Sequence, residues 1–203
     1  MAAKTVETTL KRMDIQHAQI YVAGDSQLVM HQWSEKAKEM MRAKQQKKAT
    51  SAKATRDPQA DFESTIYRMP DGSPSPYGFP SVAFKSTIVG AARWSDGLKM
   101  TELRGSLHIE DEMTPIFGEP VMREDMVRVG MGTADLRYRA SFFPWLARLT
   151  VAFNSAAISL EQVVYLLNIG GFGIGVGEFR PEKDGSWGRF HVATEDEINQ
   201  FFE

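Results

Sequence analysis

The chain has 203 residues, 42% of them hydrophobic and 25% charged, with a net charge of −2 and no cysteine. That length and balance suit one soluble globular domain spanning residues 1–203, and they exclude a disulfide framework, a thiol nucleophile and a thiolate metal site. A near-neutral total also excludes a protein that coats nucleic acid by bulk charge, so any such contact has to come from local clusters.

Ile15 to Val22 alternates and ends β-branched, which predicts a first strand stopped by Gly24 and Asp25. Asp25 or Ser26 is placed to cap a helix whose stripe is Val29, Trp33, Ala37 and Met40. From Glu35 to Arg56 eight cations, among them Lys44, Lys47 and Lys48, face two glutamates. Past Gln45 that segment has no large apolar residue, and residues 35–56 read as a basic helical insertion ending in a mobile arm. Asp57-Pro58 opens a short helix through Phe62 and Ile66, followed by a loop from Pro70 to Pro80 rich in Pro, Gly and Ser.

Pro80 next suits the opening of a helix with Phe84, Ile88 and Ala91 on its core face. Lys85 and Arg93 follow at steps of four, so that two cations share one side of a mostly small, apolar helix. The alternation around Leu103 to Ile109 predicts a strand, Thr114 to Glu119 an irregular excursion, and Pro120 to Gly132 a long loop whose Arg123, Glu124, Asp125 and Arg128 pair locally. Two strands, Leu136 to Phe142 and Ala147 to Phe153, flank Phe143-Pro144-Trp145, and Arg137, Arg139 and Arg148 fall on alternate positions as a row along a sheet face. Ser159 and Gln162 form a capping box for a helix buried through Val163, Leu166 and Leu167 and stopped at Gly170-Gly171.

The glycines at Gly171, Gly173, Gly175 and Gly177 are the chain's most unusual feature. They allow close approach to the backbone, either by the chain's own strands or by a ligand. As a ligand site, exposed N–H groups would form an anion-holding concavity, with Arg180, Lys183 and Arg189 adding charge and Phe172, Phe179 and Trp187 offering faces for bases. The spacing is neither a P-loop nor a dinucleotide fingerprint. Arg189 to Ala193 then reads as the last strand, and Thr194 caps a terminal helix.

Stripped of insertions the order is β-α-β-β-α-β, an α+β chain of ferredoxin-like (RRM-like) type. The four histidines, His17, His31, His108 and His191, show no metal-ligand spacing, and neither metal nor other cofactor is expected. No apolar run approaches a membrane span and the amino terminus has no signal-like core, so the chain is expected in the cytoplasm without a membrane partner.

Pro80-x-x-x-Phe84-Lys85-x-x-Ile88-x-x-Ala91-Ala92-Arg93 resembles a helix of the RAMP superfamily, the Cas7-like RNA-binding proteins of CRISPR effector complexes. The segment from Gly170 to Gly173 and on through Gly185 to Phe190 is similar to that superfamily's glycine-rich loop, although Ser86 stands where the superfamily favours glycine. The chain also resembles proteins of tailed bacteriophages. The RAMP resemblance implies an RRM-like fold that grips a nucleic-acid backbone, often as one subunit of a filament. On it Lys85, Arg93 and the glycine loop would be contacts, with Lys44, Lys47 and Lys48 a flexible clamp.

The expected function is therefore non-catalytic binding of single-stranded DNA or RNA as a homo-oligomer. The alternatives are a phage structural or assembly protein, and a metal-independent endoribonuclease using His191 or His108 with Lys85.

Overall fold

The computed structural model describes residues 12–33, 35–46, 57–129 and 133–203. Its larger sheet holds β1 (Ile15–Gly24), β3 (Tyr77–Pro80), β4 (Leu107–Ile109), β5 (Met113–Phe117), β8 (Leu146–Asn154) and β9 (Phe190–Val192). The strand order is β3-β5-β8-β1-β9, β4 also pairs with β8, and every pairing is antiparallel. Helices α3 (Ser81–Ala91) and α5 (Leu160–Gly173) lie against it, burying Phe84 and Ile88 from one and Val163, Leu166 and Leu167 from the other. Between them and the sheet sit Val22, Leu149, Val151, Phe153 and Phe190. The series β1-α3-β4-β8-α5-β9 is thus the expected ferredoxin-like α+β core.

The second sheet, β2 (Leu28–Met30), β7 (Thr133–Phe142) and β6 (Pro120–Val129) in the order β2-β7-β6, differs most from the sequence reading. Val29 belongs to a strand and not to a helix, because Leu28, Val29 and Met30 are all fully buried against Ala140 to Phe142 of β7. Asp25 and Ser26, expected as caps, instead bond His191 and the backbone of Arg189. The helix starts later, as α1 (Glu35–Gln45), while the remainder of the basic arm, with Lys47 and Lys48, lies outside the described residues. The expected loop from Pro120 is β6, paired with β7 from Pro120 opposite Phe142 to Val129 opposite Thr133.

Three smaller differences have local causes. Leu103 and Leu107, four apart and buried, sit on α4 (Met100–Ser106) and the first residue of β4, so most of that expected strand is helical. The Thr114 region forms β5, whose pairing with β8 is confined to Ile116 and Phe117, beyond Pro115. The Pro70 to Pro80 loop ends in β3.

The helix α2 (Pro58–Ser64) is capped by Asp57, α5 by the Ser159 and Gln162 box, and α6 (Glu195–Phe202) by Thr194, as their sequences predict. Among the described residues no helix is long and apolar enough to cross a membrane.

Candidate functional site

In the antiparallel register of the β6–β7 ribbon, Arg123 stands opposite Arg139 and Asp125 opposite Arg137. Opposed residues share a face, so one side of the ribbon carries Arg123, Arg137 and Arg139 with Asp125 and Asp135, and Asp125 draws in two of the arginines. Asp125 accepts from Arg123 Nε at 2.7 Å and lies 3.7 Å from Arg139 Nη1. Arg139 is only 6% exposed, and among the described residues neither its Nε nor Asp125 Oδ2 has a hydrogen-bond partner. The Arg123 guanidinium also donates to Gln27 Oε1 and covers the Trp187 ring, which meets Phe179 edge-on with centroids 5.0 Å apart.

Between this face and residues 177–187 runs an open groove of about 660 Å³, lined by Arg128, Arg139, Arg180 and Lys183 with Phe179 and Trp187. Phe179 is 52% exposed and has a φ of 49°, a left-handed conformation that non-glycine residues adopt at a cost. Arg180 is engaged, donating to Glu182 at 2.8 Å and to the Gly177 carbonyl at 3.2 Å. Arg128 and Lys183 form no ion pair among the described residues.

A smaller cleft of about 260 Å³ adjoins the groove, with Gly177, Glu178 and Arg180 common to both. Its wall is Tyr67, Phe79, Val82 and Thr87, so one flank of α3 does converge with the glycine loop. The charged groups at its rim are Glu178, Glu182, Arg180 and His31. Burial holds His31 below its ordinary pKa, with Arg139 and Arg137 acting the same way against Glu178, 3.9 Å from the ring.

The glycines serve internal packing. The helix α5 runs through Gly170 and Gly171 to Gly173 instead of stopping there, and a Cβ on Gly171 would overlap the Phe190 carbonyl. Gly173 packs on the Trp94 ring, Gly175 against Gly188 and Pro181, and Gly177 against the Val29 carbonyl. The expected concavity of exposed N–H groups does not form, because the N–H groups of Ile174, Gly175, Val176 and Glu178 donate to Gly170, Gly188 and Val29 carbonyls.

The other sequence candidates are dispersed. Lys85 donates to the Arg104 carbonyl and contacts His108 Nδ1 at 3.0 Å, in a hollow with Glu110, Asp111 and Glu112. Arg93 instead bonds the Gly90 carbonyl, lies over Trp94 and comes within 3.7 Å of Glu182, so the two aligned cations diverge. Arg137 pairs with Asp135 in a separate hollow beside Trp33, and Arg148 lies on the other sheet. Arg189 donates from Nε to the Ser186 carbonyl, while Phe172 is exposed on α5, away from the groove lining. Lys44 lies on α1. His191 has Asp25 on Nδ1 at 2.7 Å and Glu197 on Nε2 at 3.0 Å, so both ring nitrogens are committed.

Sequence reasoning missed Asp125 and Arg128 as groove residues, and Arg123 as the group that joins Asp125 to Trp187. The usable signal was the pattern Arg123-x-Asp125 set against Arg137-x-Arg139, which makes sense only when two strands are aligned antiparallel.

No protein-family model matches the chain, and no curated protein is similar to it in sequence. Among solved structures, the crystal structure of Cmr6 from Pyrococcus furiosus is similar over 90% of this chain and 100% of that one, at 11% identity and a TM-score of 0.42.

Proposed function

We propose that the chain is a non-catalytic protein that binds single-stranded nucleic acid in the groove between the β6–β7 ribbon and residues 177–187. One observation carries this reading: Arg128 and Lys183, which form no ion pair among the described residues, line the groove together with the exposed aromatic Phe179 and its neighbour Trp187. Cations beside exposed rings suit a flexible strand, whose phosphates need charge and whose unpaired bases need flat apolar faces. A duplex keeps its bases stacked internally and would leave the rings idle. Copies of the chain side by side on a long strand are part of the proposal.

The test is fluorescence anisotropy of labelled single-stranded DNA and RNA at low salt, followed by titration with sodium chloride. Binding that weakens steeply with salt, and leaves the strand uncut, is the expected result. Absence of binding to either polymer at low salt overturns the reading. Light scattering of the saturated complex reports whether copies assemble on the strand.

A further inference from the structure

We propose, building on the groove as a strand-binding site, that the adjoining cleft receives one unstacked base of the strand and selects guanine through the Glu178 carboxylate. The cleft opens where the groove passes Gly177 and Arg180, so a strand lying in the groove presents its bases at the cleft mouth. Tyr67, Phe79 and Val82 offer flat and apolar walls of the kind a base face needs.

The two spaces differ in charge balance. The groove lining sets Arg128, Arg139, Arg180 and Lys183 against Asp125 and Glu178, whereas the cleft lining sets Glu178 and Glu182 against an Arg180 already bonded to Glu182. Phosphate is repelled there. What enters has to be neutral and rich in donors.

Glu178 is free to read such a group. Its backbone N–H donates to the Val29 carbonyl at 3.1 Å, which anchors the residue, while its carboxylate makes no hydrogen bond among the described residues. The His31 imidazole lies beside it, with Nδ1 3.9 Å away, beyond hydrogen-bond reach. An ionised carboxylate only accepts. Guanine sets two N–H donors side by side on its pairing edge, N1 and N2, and so meets both oxygens at once. Uracil and thymine offer one N–H between two repelled carbonyls, and adenine and cytosine offer an amino group beside a ring acceptor. Guanine O6, next to the donor pair, accepts from the ring N–H of a His31 that burial keeps neutral.

Anisotropy with single strands of about twelve nucleotides decides the matter, using all-uracil strands and the same strands with one central guanine, adenine, cytosine or inosine. The guanine strand is expected to bind about tenfold tighter than the rest, the discrimination of one good bidentate contact. Inosine, which lacks the N2 amino group, should lose most of that gain. Glu178→Gln should erase the preference, so that the guanine strand binds the variant no tighter than the all-uracil strand does. Equal binding of all strands, or full retention of the gain by inosine, overturns guanine selection and leaves the groove standing. Failure of every strand to bind removes both. The inosine comparison uses the unaltered protein, so it holds even if the variant folds poorly.

Discussion

The Arg123 guanidinium lies over the Trp187 ring, its central carbon 4.1 Å from the ring centroid, and so joins the two walls of the groove. Arg123 belongs to β6 and Trp187 to the loop before β9. The arginine is held in place by Asp125 and Gln27, and the indole continues to Phe179. This contact is expected to help set the spacing of the groove. In a double-mutant cycle of Arg123→Ala and Trp187→Ala, the coupling energy from urea denaturation should be about 0.5–2 kcal/mol. A coupling near zero would mean that the walls are positioned by something else.

Arg128 and Lys183 should govern affinity without governing stability. Neither forms an ion pair among the described residues, so on the proposed reading alanine at either site removes a phosphate contact and little else. The expected outcome is a slope of log affinity against log salt that is shallower by about 0.7 per substitution, with an unchanged melting temperature. Lys85→Ala should leave the slope as it is, since Lys85 is engaged by Arg104 and His108 and overlooks three acidic residues. A larger loss from Lys85→Ala than from Lys183→Ala would move the site to the α3 edge.

The core was legible in the sequence because its signals are one-dimensional. Phe84, Ile88 and Ala91 recur at helical steps, and Ser159 with Gln162 marks a helix start. The ribbon was not, because its charged face is stabilised across strands: Asp125 makes sense only beside Arg123 and Arg139, one of them fourteen positions further along. The same holds for the glycines, whose spacing suggests a ligand but whose neighbours are the Phe190 and Val29 carbonyls. The aromatics Phe179 and Trp187 and the cations Arg180 and Lys183, which the sequence puts in one short loop, line one groove.

Gly171→Ala tests the packing role of the glycine run. Its new Cβ would meet the backbone oxygen of Phe190, which is fixed in β9 and cannot yield as a side-chain tip can. The expected loss is about 1–3 kcal/mol of folding stability by urea denaturation, as for other overpacked sites. Gly105→Ala on α4 has nothing within 4 Å of the added carbon and should stabilise slightly, by about 0.5–1 kcal/mol. If both variants behave alike, the glycine run is not there for packing.

His191 gives the stability a pH dependence of definite sign. Burial by itself would lower its pKa, but hydrogen bonds donated to Glu197 and Asp25, together with the charges of those carboxylates, outweigh that and raise it above the ordinary 6.5. The folded state therefore holds its proton more tightly than the unfolded chain. The resulting stabilisation is fully present below pH 6.5 and is lost as pH rises through the folded pKa. His31 acts in the opposite sense: its folded pKa is lowered by burial, so its contribution is present above 6.5 and lost as pH falls. Urea midpoints measured from roughly pH 5 to 9 should fall on the alkaline side in the unaltered protein. In His191→Gln that alkaline fall should disappear and leave only the acid-side loss due to His31. The same substitution should loosen α6, which His191 ties to β9 through Glu197 and which otherwise rests on the ring contacts of Phe202 with Tyr21 and Phe117. Hydrogen exchange at Ile198 to Phe202 should then quicken with rising pH in the unaltered protein beyond the intrinsic rate. Exchange that follows only the intrinsic rate would show that the imidazolium does not hold the helix.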